Sequence, residues 1–153
     1  MIRIILMIGI VVCCVLIGNM IKNCLFVRCQ IFKDFKGLCK SISNEITFLK
    51  TDKFTMLNNR EFLDKRSAEI IHNYLLLGKV DCAYLKNAEN KALNDFLNSI
   101  GKMDVDGEIN NLNYYENLID EYCVATEENY LKYGVFSIKI SIIIGALIVI
   151  FLI

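Results

Sequence analysis

The sequence predicts an all-α fold, an antiparallel helical bundle flanked by N- and C-terminal transmembrane helices. Three observations carry that expectation. Among 153 residues there is no proline, and glycine is sparse outside the terminal runs, so little interrupts long helices. Apolar residues recur at steps of three and four through the middle of the chain, the spacing of one helix face. Residues 4–21 and 140–153 carry no charge, whereas all 17 carboxylates lie between Asp34 and Glu128.

The first uncharged run, residues 4–21, rises about 27 Å as a helix, close to the hydrocarbon thickness of a bilayer. The second reaches spanning length when extended to residues 133–153. That extension takes in Lys139, whose stem can lie along lipid while its ammonium returns to the headgroups. Arg3 precedes the first run as in a signal peptide, but the apolar stretch exceeds a usual signal core and no small-x-small site follows. A lipoprotein signal through Cys13 or Cys14 would place bulky Val12 before the first of them. Retention as an anchor is the expectation.

Basic residues set the orientation. Arg3 stands alone ahead of the first span, while Lys22, Arg28, Lys33, Lys36 and Lys40 follow it; Lys132 and Lys139 mark the near end of the second span and no basic residue follows. Both spans therefore predict a cytoplasmic middle and termini on the outer side. A reducing cytosol suits the seven cysteines, an odd number that no complete disulfide framework could absorb.

The middle, residues 22–132, has the length of one small domain. Ile31, Phe35, Leu38, Ile42, Ile46 and Leu49 form a stripe continuous with the first span and ending near Thr51 and Asp52. Asn58 and Glu61 resemble a capping box, opening a helix with Phe62, Ile70, Tyr74 and Leu77 that stops at Gly78. Asp81 is expected to cap the next helix, which carries Leu85, Leu93, Phe96, Leu97 and Ile100 before Gly101. Asp104 or Asp106 opens the longest segment, where Ile109, Leu112, Tyr115, Ile119, Tyr122, Thr126, Tyr130 and Tyr133 keep the rhythm into the second span. No stretch alternates as a strand would.

Charge is uneven along this middle. From Lys22 to Arg66 there are ten basic and five acidic residues; from Asp104 to Glu128 there are eight acidic and no basic ones. The first and last helices should attract each other. If both leave the bilayer at one face, the numbers of facing residues total about 156, as estimated from the two span boundaries. That register pairs Arg28 with Glu128, Lys36 with Asp120 and Lys40 with Glu116. Exposed pairs choose an alignment more than they stabilise it, so buried apolar stripes must supply most of the stability.

Residues suited to chemistry are sparse. His72 has no acidic or cysteine partner at a repeating spacing, and Cys24, Cys29, Cys39, Cys82 and Cys123 include no C-x-x-C pair. Gly101 and Lys102 lack the rest of a phosphate loop. Asp104, Asp106 and Glu108 alternate like a calcium loop, but Gly107 is displaced and Tyr115 stands where the closing glutamate belongs. No basic patch is interleaved with aromatics, which argues against nucleic acid. The expectation is a protein that is not an enzyme, with no catalytic, cofactor-binding or metal-ligating residue and no small-molecule substrate. Gly9 with Cys13, Cys14 with Gly18, and Ser141 with Gly145 stand four apart, the spacing that lets membrane helices approach closely.

The run Leu93, Asn94, Asp95, Phe96, Leu97, followed by Ile100, Gly101 and Asp104, resembles the L..FG..LG..D signature of the stage III sporulation protein AB family. Tyr133 matches a recurring tyrosine, residues 145–153 (GALIVIFLI) resemble the family's glycine-led apolar terminus, and Leu38, Ile42, Glu45 and Ile46 are similar to its first cytoplasmic helix. The chain departs at Thr51 to Phe54, where a Pro-Leu pair is expected, at Glu108 for a common glutamine, at Ser141 for a glycine, and in lacking tryptophan.

The resemblance implies a component of the channel-like complex that joins mother cell and forespore, held in the mother-cell membrane that faces the forespore. It also implies a cytoplasmic domain similar to the platform protein of type II secretion and type IV pilus machines. Implied partners are a secretion-type ATPase of the same operon and other membrane proteins of the channel complex. The alternative is a stand-alone membrane adaptor or regulator whose cytoplasmic bundle binds a soluble partner.

Overall fold

A computed structural model describes residues 2–49, 57 and 63–152. Asn58, Glu61, Phe62, Thr51 and Asp52, invoked above for a cap and a stripe end, lie outside these. The helices are α1 (Ile2–Leu49), α2 (Lys65–Leu77), α3 (Asn87–Ser99), α4 (Val105–Asn129), a π-helical turn (Tyr130–Gly134) and α5 (Val135–Leu152), with no strand among the described residues. The chain forms two compact units, one of Arg28–Ala125 and one of Met1–Val27 with Thr126–Ile153.

The first unit is a bundle organised on one face of α1. Ile31, Phe32, Phe35, Leu38 and Ile42 are each at most 1% exposed, as are Leu93, Phe96, Leu97 and Ile100 on and just after α3 and Leu112 and Ile119 on α4. Burying one such side chain is worth roughly 1.5–3 kcal/mol, so this core dominates the unit's stability. Its aromatic rings interlock the helices. Phe96 meets Phe35 edge-on at 6.4 Å and Tyr115 at 5.5 Å, and Phe32 stacks on Tyr122 at 5.3 Å.

The start of α2 is fixed from α1. Asp64, its N-cap, makes no side-chain cap bond. Asp34 of α1, only 8% exposed, accepts from the Asp64 N–H at 3.1 Å, the Ser67 hydroxyl at 2.6 Å and the Gln30 amide at 3.0 Å. A carboxylate there satisfies orphan donors and complements the positive end of the helix. α2 ends at Gly78, whose φ of 69° closes the helix by a 2.8 Å bond from its N–H to the Tyr74 carbonyl.

Asp81 does not cap α3. The helix begins at Asn87, and Asp81 lies in the preceding turn with its carboxylate exposed, 3.5 Å from Lys79. Amides of α3 hold that turn instead: Asn94 accepts the Val80 N–H, and Asn90 both accepts the Cys82 N–H and donates to the Cys82 carbonyl. Glu89, three residues beyond the N-cap Lys86, accepts the Lys86 N–H at 2.8 Å, which supplies half of a capping box. Gly101 follows α3 with φ of 77°, and its N–H donates to Glu108 at 2.7 Å. Asp104 precedes α4 and accepts the Glu108 N–H on its carbonyl.

In the second unit the chain supplies two helices long and apolar enough to cross a membrane, α1 and the run Val105–Phe151. Leu16, Ile17, Ile143 and Leu147 are all more than half exposed, an outward apolar surface suited to lipid and unsuited to water.

Burial pushes the Cys39 thiol, 1% exposed in the bundle core, up from 9.0 to about 12. The folded state keeps that proton where the unfolded chain releases it. Stability should therefore be intact below about pH 9 and fall as pH rises toward about 12. In melts followed by circular dichroism, Cys39→Ala is expected to show a shallower decline across that window than the native chain.

Candidate functional site

No set of side chains converges as a catalytic centre would, so the candidate functional features are the contacts that hold helices together. Among the described residues no group of three His, Cys, Asp or Glu side chains could hold a metal ion. His72 is exposed on α2. Of the carboxylates that alternate like a calcium loop, Glu108 is 3% exposed and turns back onto the Gly101 N–H, leaving its second oxygen buried and unpartnered.

Within the bundle, α1 presents cations to two helices. Arg28 grips Glu89 of α3 through two donors, Nε at 3.0 Å and Nη2 on the other oxygen; the side chains are 14% and 4% exposed. The pairing expected with Glu128 is thus replaced. Glu89 is buried and needs a forked cation to compensate its charge, whereas Glu128 is exposed and solvated. Lys36 donates to Asp120 of α4, and Lys40 stands 3.8 Å from Glu116. In both cases the residue numbers total 156. The hydrogen bond from Asp120, opposed by a smaller desolvation, raises Lys36 above its ordinary value.

In the membrane-helix unit, small residues meet small residues. A Cβ added to Gly18 would come within 2.5 Å of Ser141 Oγ, and one added to Gly145 within 3.3 Å of Cys14 Cβ. Ser137 donates to the Gly18 carbonyl at 3.2 Å and to Gly134 at 2.9 Å, while Ser141 donates to the Ser137 carbonyl. Both helices can approach here because neither carries bulk at the crossing. Gly9 has nothing within 4 Å and Cys13 is exposed, so these two point away from the contact.

Three participants were not anticipated: Asp34, Glu89 and Ser137. Ser137 stands four before Ser141 and so extended the small-residue signal already visible. The other two act on partners distant in sequence, Asp34 on residues 30 or more positions away and Glu89 on one 61 positions away.

Two outcomes follow from this geometry. Arg28→Leu should cost about 3 kcal/mol in urea unfolding of the detergent-solubilised chain, because Glu89 is left buried without a cation. Arg28→Leu combined with Glu89→Leu should recover most of that loss. In Gly145→Cys, the new Cβ would lie 3.3 Å from that of Cys14, close to the roughly 3.5–4.5 Å of a disulfide. Mild oxidation should link it to Cys14, as read by peptide mapping, while Gly9→Cys forms no such link to the second span.

The family model for stage III sporulation protein AB matches residues 65–153, which is more than half of the chain and takes in α2 through α5. The Leu93 to Asp104 motif and the apolar terminus lie within the match; Leu38 to Ile46 lie ahead of it. No curated protein and no solved structure matches the chain. With its bundle helices and second apolar helix inside the matched stretch, the chain belongs to the stage III sporulation protein AB family.

Proposed function

We propose that this protein is a non-enzymatic platform component of a sporulation-specific, secretion-like channel complex. In this reading it sits in the mother-cell membrane facing the forespore, with its bundle in the cytoplasm, and docks a secretion-type ATPase and other channel proteins there. The observation that carries the proposal is membership of a family of stage III sporulation proteins without known catalytic activity, in a chain with two membrane-capable helices. Basic residues clustered after the first span support the cytoplasmic placement of the bundle. Work would enter from ATP hydrolysis in the partner and pass through packed helices to the membrane.

Recovery of the full chain in mild detergent from sporulating cells tests this. A secretion-type ATPase should copurify, and protease added to inside-out vesicles should digest the bundle. An isolated adaptor would bring down a soluble partner with no ATPase. Protection of the bundle in those vesicles would remove the ATPase contact altogether.

A further inference from the structure

Within the membrane-helix unit, Asn19, Met20, Lys22, Asn23, Phe26 and Tyr130 line a cavity of ≈ 380 Å³. It opens where the charge-free run of residues 4–21 gives way to Lys22, at the depth of the headgroups of a bilayer. Among the described residues, the side chains of Asn19, Lys22 and Asn23 have no hydrogen-bond or ion-pair partner. Three donors thus border one pocket with their capacity unspent. Phe26 and Tyr130, their rings 5.6 Å apart, form an apolar wall beside them. Tyr130 opens the π turn, a local distortion that is frequent at functional sites, and Lys132 of the same turn lies over the Tyr133 ring at 5.3 Å. Neither Glu127 nor Glu128, the carboxylate side chains of this unit, lines the cavity.

We propose that this cavity binds the phosphodiester headgroup of an anionic phospholipid. The Lys22 ammonium pairs with the phosphate, the Asn19 and Asn23 amides donate to its ester or glycerol oxygens, and the apolar wall of Met20, Phe26 and Tyr130 receives the start of the acyl region. A free inorganic anion would use the donors but draw nothing from that wall. The assignment holds for either leaflet and does not depend on the channel role.

The test uses the full chain in nanodiscs of phosphatidylcholine with or without phosphatidylglycerol, followed by native mass spectrometry of lipid that remains bound. The native chain should retain phosphatidylglycerol selectively. Lys22→Gln should lower that retention about tenfold, the weight of one charge-assisted hydrogen bond. Lys132→Gln removes an equal charge from the same unit without lining the cavity, and should change retention far less. Equal losses in both variants would mean general surface attraction and overturn the proposal, as would no selectivity in the native chain. Displacement of the lipid by millimolar inorganic phosphate would show that the anion alone is recognised and would overturn the lipid assignment. If Lys22→Gln does not fold, as judged by circular dichroism, Asn19→Leu supplies the same comparison; unchanged retention there would count against the site.

Discussion

Burial of one face of α1 is the constraint on which the bundle depends. Ile31, Phe32, Phe35, Leu38 and Ile42 are almost completely removed from solvent, and aromatic contacts from α3 and α4 close over them. Such burial is strong and non-directional; by itself it does not decide which helix lies where. Polar residues on the same helix make that choice. Asp34 receives the first residues of α2, Arg28 holds Glu89 near the start of α3, and Lys36 and Lys40 face the acidic side of α4. Each neighbour is identified by a different chemical key cut into one helix.

The membrane-helix unit is held by another kind of force. Lipid is as apolar as the side chains it meets, so helices there gain little from hiding leucine or isoleucine. What remains is close approach, and Gly18, Gly145, Ser137, Ser141 and Cys14 supply it by leaving backbone and short polar groups within reach. A methyl group at Gly18 would collide with Ser141, so the crossing tolerates less change than the buried bundle core, where neighbouring side chains can adjust.

The parts of the fold legible in the sequence were those governed by local spacing. The α1 stripe, the glycine stops at Gly78 and Gly101, and the long final helix follow from period and from backbone freedom at positive φ. The start of α3 was not legible from Asp81, because amides one and two turns into the helix serve the turn before it. Nor was Glu89 as the partner of Arg28, since it depends on how α3 lies against α1. The small residues illustrate the same boundary. Gly9 with Cys13 and Cys14 with Gly18 have identical spacing, yet adjacent residues point about 100° apart around a helix, so only one pair could face the second span. Sequence gave both candidates; the position of the partner chose between them.

The π turn at Tyr130–Gly134 has a consequence for how this family could vary. A π turn accommodates one residue more than an α turn over the same rise. Losing one residue there would barely shorten the chain, but it would rotate everything after it by about 100°. Ser137, Ser141 and Gly145 would swing away from Gly18 and Cys14, and isoleucines would take their place. Length in this stretch is therefore a steering variable: whole-turn insertions preserve the crossing, and single-residue indels re-aim it.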